Sequence, residues 1–258
     1  MVIKSEALKL SASAIKTYKQ CPRKYYFTYI EKLPKKTWPH TELGNFVHKS
    51  LELFHINIKD KPLAPSEWPN ALQDCCKQAI KAHALTPEQK INAKGMLKTY
   101  LSNLVESGLP NVLSNEKKFE ISLKDNIIIR GFIDRVDRDS DKDFHIVDYK
   151  TGKSKYLDAF QLLVYALAIF NEYPNLDRIK CSYIVLSEGS KVIPYNFTKT
   201  DVERVVNDIV QTGEQIRTDK TWETRPQMLC AYCDFEAACP ATQQTKDMWG
   251  SYSKSIGE

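Results

Sequence analysis

The sequence predicts an α/β fold in which a mixed central sheet is flanked by helices. Two stretches, residues 127–136 and 144–149, alternate apolar and polar side chains as neighbouring strands do. Residues 41–58 instead show helical periodicity, and the almost wholly apolar residues 158–173 are long enough for a buried helix. Helices, three strands, a helix and a further strand follow one another in this order, which favours a mixed sheet with helices packed on it.

The first 110 residues are predicted to be mainly helical. Ser11 and Ser13 mark the start of a helix that continues to Cys21, and Pro22 suits the first turn of a second helix over residues 23–30. The amphipathic helix at 41–58 follows. Residues 62–69 form a connection, and residues 71–84 and 87–107 are the helices of an inserted helical region at about 60–110.

Strands are predicted to dominate the next part of the chain. Residues 116–123 and 127–137 form two strands joined by the polar turn at 124–126, and a third strand carries Asp148. After the helix at 158–173, residues 180–187 and 191–197 form a hairpin around Gly189. A helix at 200–217 then precedes an irregular tail.

Length and composition are those of one ordinary globular domain covering residues 1–258. The chain is 42% hydrophobic and 27% charged, and no stretch approaches the roughly 20 apolar residues that cross a bilayer. Because residues 1–6 lack the apolar core of a signal sequence, we expect a cytoplasmic protein with no membrane partner. The net charge of +5 comes from residues 1–60, where 11 basic residues outnumber 5 acidic ones. This basic part suits a phosphate backbone and a solvated surface equally well.

Two acidic residues and one lysine lie in the two central strands. Residues two apart on a strand point to the same side, so Asp148 and Lys150 project together, and the paired strand can bring Asp134 alongside them. Carboxylates packed this closely repel each other unless a cation lies between them, and oxygen ligands suit Mg²⁺ or Mn²⁺. The pattern outlines a metal-dependent site that cleaves phosphodiesters, although an isolated Asp-x-Lys triplet is more often a solvated turn or strand end.

Three further polar side chains lie on helices that carry apolar faces. His48 lies beside the apolar stripe of the helix at 41–58, where an imidazole is usually satisfied in the core but can also bind Mn²⁺ or Mg²⁺. Gln161 and Tyr165 are four residues apart and share one face of an apolar helix. Their polar ends could contact a phosphate or the lysine. They could also simply hydrogen-bond to polar groups around a buried helix.

Seven cysteines in a chain without a secretory signal argue against a disulfide framework. The spacing of Cys230, Cys233 and Cys239 is typical of a metal site, and Cys21 can supply a fourth thiolate. Four thiolates suit either Zn²⁺ or a [4Fe–4S] cluster, and the tail by itself favours zinc. The other three cysteines are expected to be ordinary buried or half-buried residues: Cys75, Cys76 and Cys181.

Taken together, these motifs resemble the RecB-like branch of the PD-(D/E)XK nucleases, which includes the nuclease part of AddB-type recombination subunits and the CRISPR-associated adaptation nucleases. The likeness covers nearly the whole chain and keeps the order of the motifs. They are Cys21-Pro22, Gly44-x3-His48, Gly131-Phe-Ile-Asp134-Arg135, Asp148-Tyr149-Lys150-Thr-Gly, Gln161-x3-Tyr165 and Cys230-x2-Cys233-x5-Cys239. The resemblance implies a restriction-endonuclease-like fold with a helical insertion and a tail, at about 226–240, tethered by an iron–sulfur cluster.

The resemblance also implies roles for the central polar residues. His48, Asp134 and Asp148 would bind Mg²⁺ or Mn²⁺, and the Tyr149 carbonyl would be a further ligand. Lys150 would position or help to deprotonate the attacking water and would steady the charge that develops on the phosphate.

The remaining implied roles concern DNA and the cysteines. Gln161 and Tyr165 would support DNA binding and Lys150. An upstream acidic position is left open between Glu116 and Glu120. A [4Fe–4S] cluster would be held by four cysteines: Cys21, Cys230, Cys233 and Cys239.

The implied activity is that of a Mg²⁺- or Mn²⁺-dependent DNA exonuclease acting on single-stranded or frayed ends in repair or recombination. Since the sequence contains no Gly-x4-Gly-Lys-Ser/Thr motif, unwinding would come from a helicase, recombination or CRISPR partner. The aromatic residues Tyr25, Tyr26, Phe27 and Tyr29 could stack on bases or belong to the core. A structure-specific endonuclease and a DNA-binding subunit without turnover are the alternatives.

Overall fold

The computed structural model describes residues 6–36 and 38–249. The chain divides into two compact units. The terminal unit comprises Met1–Thr37, Ser122–Ile129 and Asn207–Glu258, and the central unit comprises Trp38–Ile121 and Arg130–Val206. The predicted single domain over 1–258 therefore stays a prediction. Residues 1–5, which belong to the segment from which no signal sequence was predicted, lie outside the described residues.

The N-terminal helices of the terminal unit begin where the sequence predicts them. A short strand β1, Leu8–Leu10, pairs in parallel with the first residues of β3, Ile127–Ser140. Helix α1, Ala12–Gln20, is capped by the Ser11 side chain, which accepts a hydrogen bond from the backbone N–H of Ala14. Helix α2, Pro22–Tyr25, continues into a single π-helical turn, Tyr26–Ile30, instead of the uniform helix predicted for residues 23–30.

The C-terminal part of the chain contains two helices. Helix α7, Lys199–Thr218, matches its prediction and carries Gly213 at a close approach. A Cβ atom there would lie 2.5 Å from the Ile127 side chain, so only glycine fits against it. The tail was wrongly predicted to be irregular throughout, because its described part includes helix α8, Thr242–Trp249. This polar helix of eight residues is too short for its pattern to be recognised from sequence.

Three helices of the central unit build its larger apolar core. They are α3, Pro39–Asp60, α4, Trp68–Ala79, and α5, Pro87–Ser107. Thr86 begins α5 in a capping box with Gln89. The helices bury their apolar stripes together with side chains of the neighbouring strand, and the fully buried Leu51 and Phe54 lie in the same cluster as Val147. The two predicted helices of the 60–110 region are therefore present.

The sheet of the central unit is mixed, as predicted. Strands β2, Val112–Ser122, and β4, Asp143–Lys150, both pair with β3, and the β3–β4 pairing is antiparallel. Strand β5, Arg178–Val185, is parallel to β4 and forms an antiparallel hairpin with β6, Lys191–Thr198. Gly189 takes the left-handed conformation, with φ 71°, in the predicted hairpin turn.

Helix α6, Phe160–Glu172, follows the sheet's central strand β4 and is largely buried. It contacts β4 and β5, whereas Tyr149 of β4 packs in the core built by α3, α4 and α5. Alternate residues of a strand point to opposite faces, so β4 is covered by helices on both sides. Within the described ranges, no helix is both long and apolar enough to cross a membrane.

Candidate active site

Antiparallel pairing of β3 and β4 brings Asp134 next to Asp148. Arg135 is the partner of Val147 in the register, so the two acidic residues are direct neighbours across the strands. The backbone N–H of Tyr149 donates a hydrogen bond of 2.8 Å to Asp134 Oδ2. The structure thus joins the two acidic residues that the sequence placed in neighbouring strands.

Lys150 links the second acidic residue to helix α6. Its Nζ lies 2.6 Å from Asp148 Oδ2 and donates a hydrogen bond of 2.9 Å to Gln161 Oε1. The Gln161 amide in turn donates to the Tyr165 hydroxyl at 2.7 Å. Because the Asp148 side chain is only 1% exposed, its charge depends on this ammonium group. Of the two polar residues predicted on one helix face, Gln161 therefore contacts Lys150 directly and Tyr165 contacts Gln161.

A second group of ligand-type side chains surrounds Asp134. Atoms of His48, Glu116 and Asp134 lie within 4.8 Å of one another, and His48 Nδ1 is 3.3 Å from Asp134 Oδ2. Of the two candidates left open by the sequence, Glu116 therefore belongs to this group. Asp148 lies outside the 4.8 Å set and pairs with Lys150 instead. The ligand set of His48, Asp134, Asp148 and the Tyr149 carbonyl stays a prediction.

The backbone of Glu116 is strained. Its φ of 46° lies in the left-handed region, which a glutamate in the middle of a strand rarely adopts. Such strain costs of order 1–3 kcal/mol and is found mainly where it serves function. Here it accompanies a carboxylate that joins His48 and Asp134. Sequence patterns could not reveal this, because regular alternation assumes regular strand geometry.

Crowding of the acidic residues changes their protonation. Burial, together with Asp134 and Glu52, raises the pKa of Glu116 to about 7. Burial and Asp134 also raise the pKa of Asp148, although Lys150 acts to lower it. The pKa of His48 is raised as well, since Asp134 outweighs the effect of burial. A divalent cation would relieve this repulsion, and imidazole with carboxylates is a donor set that suits Mn²⁺ or Mg²⁺.

Comparison with known protein families identifies the superfamily to which the chain belongs. Residues 9–240 match the model of the PD-(D/E)XK nuclease superfamily. The chain belongs to this superfamily. Its members use divalent metal ions, and the mixed sheet flanked by helices is consistent with their fold.

The curated relatives of this PD-(D/E)XK chain are much longer proteins. An ATP-dependent helicase/deoxyribonuclease subunit of Clostridium perfringens is 29% identical over 214 residues, which cover 66% of this chain and 18% of the relative. The protein of the same name from Streptococcus agalactiae is 26% identical over 159 residues, or 58% and 15% of the two chains. The chain therefore spans less than a fifth of the curated relatives it matches.

A solved structure supports the fold of this PD-(D/E)XK chain. An exonuclease candidate from Eubacterium rectale superposes with a TM-score of 0.53 and covers 97% of this chain and 94% of its own. The two sequences are 9% identical, so the similarity concerns the fold alone.

A buried polar cluster lies on the other face of β4, and sequence reasoning missed it. Arg135 donates hydrogen bonds of 2.6 Å and 2.8 Å to the hydroxyls of Tyr149 and Tyr100, and its Nε lies 2.9 Å from Asp137 Oδ1. His55 Nε2 is 2.6 Å from the Tyr100 hydroxyl. Every charged group in this cluster has a partner. The cluster fixes the side chain of Tyr149, which lies between Asp148 and Lys150 in the sequence. The available signal was an arginine followed two residues later by an aspartate, which puts opposite charges on the same side of the strand.

His145, beside this cluster, should make the stability of the protein depend on pH. Burial, Arg135 and Lys180 lower its pKa to about 4, whereas an unfolded histidine has a pKa of about 6.5. Between these values the unfolded chain binds more protons, so the contribution of His145 to stability is lost as the pH falls. Substitution His145→Asn removes this proton uptake.

We expect the stability advantage of wild type over His145→Asn to shrink by about 1–2 kcal/mol between neutral pH and about pH 4.5, after a discount for its partial exposure. Urea unfolding of both proteins across this range measures the difference. The pKa values of Asp148 and Glu116 are raised, so these two groups favour the folded state as the pH falls. Their effect is the same in wild type and in His145→Asn and cancels in the comparison. A difference that stays constant with pH would contradict the assignment.

Four cysteines of the terminal unit line one cavity. Three cationic side chains, Arg23, Lys24 and Arg225, line the same cavity. Burial raises the pKa of the Cys233 and Cys239 thiols, and Lys24 and Arg23 oppose this effect in part. The predicted set is therefore brought together in space: Cys21, Cys230, Cys233 and Cys239.

The spacing of these sulfur atoms bears on what they could bind. A tetrahedral zinc ion with Zn–S bonds of about 2.3 Å requires sulfurs about 3.8 Å apart. Among the described residues, the set of ligand atoms found within 4.8 Å of one another is that of His48, Glu116 and Asp134, and it contains no cysteine. The sulfurs are thus spread more widely than one zinc ion requires. A backbone N–H also points at Cys230 Sγ, donated by Gln227 at 3.4 Å.

The other sequence-predicted residues are divided between core and surface. Cys75 and Cys181 are buried and Cys76 is half-buried, as expected. Two of the four aromatics considered for base stacking, Tyr25 and Phe27, are buried, and Tyr25 stacks on Trp222. Those two belong to the core of the terminal unit.

Proposed function

We propose that this chain is a Mg²⁺- or Mn²⁺-dependent DNA exonuclease that hydrolyses phosphodiester bonds from single-stranded or frayed ends in repair or recombination. The observation that carries the proposal is the juxtaposition of the Asp148–Lys150 pair with the ligand group around Asp134. Membership of the PD-(D/E)XK superfamily supports nuclease chemistry, and the relatives named helicase/deoxyribonuclease subunits support DNA as the substrate.

The residues suit this chemistry in complementary ways. His48, Asp134, Asp148 and the Tyr149 carbonyl would hold the metal. The Glu116 carboxylate lies close to His48 and Asp134 in space. When bound, a divalent ion supplies positive charge that offsets the charge on the attacked phosphate. The remaining work falls to the protein.

Lys150 has the position expected of the group that positions or helps to deprotonate the attacking water and stabilises the charge that develops on the phosphate. Its ammonium is fixed between Asp148 Oδ2 at 2.6 Å and Gln161 Oε1 at 2.9 Å, so it needs no rearrangement to face a phosphate. Tyr165 fixes the Gln161 amide, and the amide orients Lys150. Gln161 and Tyr165 would therefore act through Lys150 and through DNA contacts.

We also propose that the cysteine cavity holds a [4Fe–4S] cluster. A [4Fe–4S] cluster is ligated by four thiolates, which fits the four cysteines that share this cavity. It would close a chain segment of about 200 residues between Cys21 and Cys230. Its simplest role is structural, because it would join the start of α2 to the tail.

DNA digestion tests the proposed activity. End-labelled linear and circular DNA, single- and double-stranded, would be treated with wild type, Asp148→Ala and the control Asp139→Ala in Mg²⁺ or Mn²⁺. Asp139 is an exposed acidic residue on the same strand as Asp134, so its loss should leave the rate within about threefold. Cleavage of linear DNA alone, lowered at least about 1,000-fold by Asp148→Ala, is the expected result.

Other outcomes would redirect the proposal. Cutting of circular DNA would make the protein a structure-specific endonuclease. No cleavage by folded, cluster-containing protein would favour a DNA-binding subunit of a helicase–nuclease or CRISPR-adaptation complex. The helicase is proposed as a partner because the relatives' names include one and this sequence contains no nucleotide-binding Gly-x4-Gly-Lys-Ser/Thr motif.

A further inference from the structure

A groove on the central unit lies apart from the residues of the candidate active site. It runs between α4 and α5 and has a volume of about 590 Å³. Its floor is apolar: Leu72 and Ile80 come from α4 and the turn that follows it, and Leu97 and Leu101 come from α5. An apolar floor of this size between two helices is a suitable receptor for the apolar face of a third helix.

The edges of the groove are polar and positively charged. Lys90, Lys94 and Lys98 are spaced four residues apart along α5, so they form one exposed row. None of these three makes an ion pair within the part of the chain that the structure describes. On the α4 edge, Lys77 is paired with Asp74. The described residues that line the groove include four lysines and no aspartate or glutamate.

Charge complementarity selects the occupant. Unpaired lysines above an apolar floor match a segment that has apolar side chains on one face and carboxylates on the other. The row from Lys90 to Lys98 is about 12 Å long, the length of two to three helical turns. Nucleic acid is a poorer match, because single strands stack on aromatic side chains and this floor is mainly aliphatic.

We propose that this groove is a docking site for an acidic amphipathic helix of a partner protein. The site would recruit the chain to its partner and is independent of the proposed nuclease chemistry. It therefore predicts binding that persists in variants without activity, such as Asp148→Ala.

A labelled model peptide tests the proposal. The probe is a fluorescein-labelled helix of about 16 residues, with leucines on one face and glutamates on the other, and its binding is followed by anisotropy. The charge-reversed variant K90E/K94E/K98E should bind at least about tenfold more weakly. The control K61E/K81E/K191E carries the same change at exposed lysines outside the groove lining and should bind like wild type.

A second readout reports the location of the peptide. Cys76 lines the groove and is half-buried, so bound peptide should slow its alkylation, measured by mass spectrometry. A peptide with alanines in place of leucines should neither bind nor protect Cys76. Absence of saturable binding, equal loss in both lysine triples, or displacement of the peptide by single-stranded DNA at similar concentration would overturn the proposal. Circular dichroism confirms that both triples are folded.

Discussion

Replacement of Lys150 by alanine is expected to lower the rate of DNA hydrolysis by at least about 1,000-fold. The ammonium group lies between Asp148 and Gln161, where it can face the charge that develops on a phosphate. Alanine removes both the charge and the proton donor. Single-turnover digestion of end-labelled DNA in Mn²⁺ measures the effect on the chemical step.

Mn²⁺ binding separates this role from a general loss of structure. Lys150 contributes no atom to the group formed by His48, Glu116 and Asp134, so calorimetry should still detect Mn²⁺ binding to the folded variant, with an affinity altered by the loss of the Asp148 partner. Alanine also leaves the buried Asp148 without its partner, which costs roughly 3–5 kcal/mol of stability if the carboxylate stays charged.

Substitution Lys150→Arg keeps the positive charge and should therefore keep the fold. It should still be slow, because a guanidinium does not release a proton. Lys180→Ala, at an exposed surface pair with Asp143, is the matched control and should keep the wild-type rate. A Lys150→Ala enzyme with more than about a tenth of the wild-type rate would contradict the assigned role.

Substitution Cys239→Ser is expected to abolish iron binding and to lower Tm by more than about 10 °C. Cys239 lines the cavity with three other cysteines, and a cluster would link it to Cys21 near the N-terminus. Loss of one ligand removes this link, and the terminal unit then depends on its small apolar core. The measurements are iron content, visible absorbance and thermal unfolding of anaerobically purified protein.

The matched control for this experiment is Cys76→Ser. Cys76 is half-buried like Cys239 but belongs to the central unit and not to the predicted set of cluster ligands. Iron content and absorbance should be unchanged in the control. A colourless wild-type protein with one equivalent of zinc would instead support the zinc alternative and refute the cluster.

Local patterns outlined the candidate site, and the resemblance of the full set of motifs to a known family identified it as a nuclease motif. The side chains of Asp148 and Lys150 share a face because strand periodicity is a property of the backbone alone. The same holds for Gln161 and Tyr165, which are four apart on a helix and are joined by a hydrogen bond. The long helices α3 and α5, of 22 and 21 residues, were predicted, whereas α8, with eight residues, was missed because so short a segment gives no clear pattern.

The sequence by itself determined the mixed α/β fold, the strands that carry Asp134 and Asp148, and the shared face of Asp148 and Lys150, whereas the hydrogen bond from Lys150 to Gln161 came from the structure. Only the tertiary structure decided between Glu116 and Glu120, because the left-handed backbone at Glu116 departs from regular strand geometry. It also decided that Arg135 is buried against Tyr149. The physical reason is the separation along the chain of the residues that determine each property. Periodicity depends on neighbouring residues and shows which way they point. Burial and contacts between distant residues depend on how the elements pack.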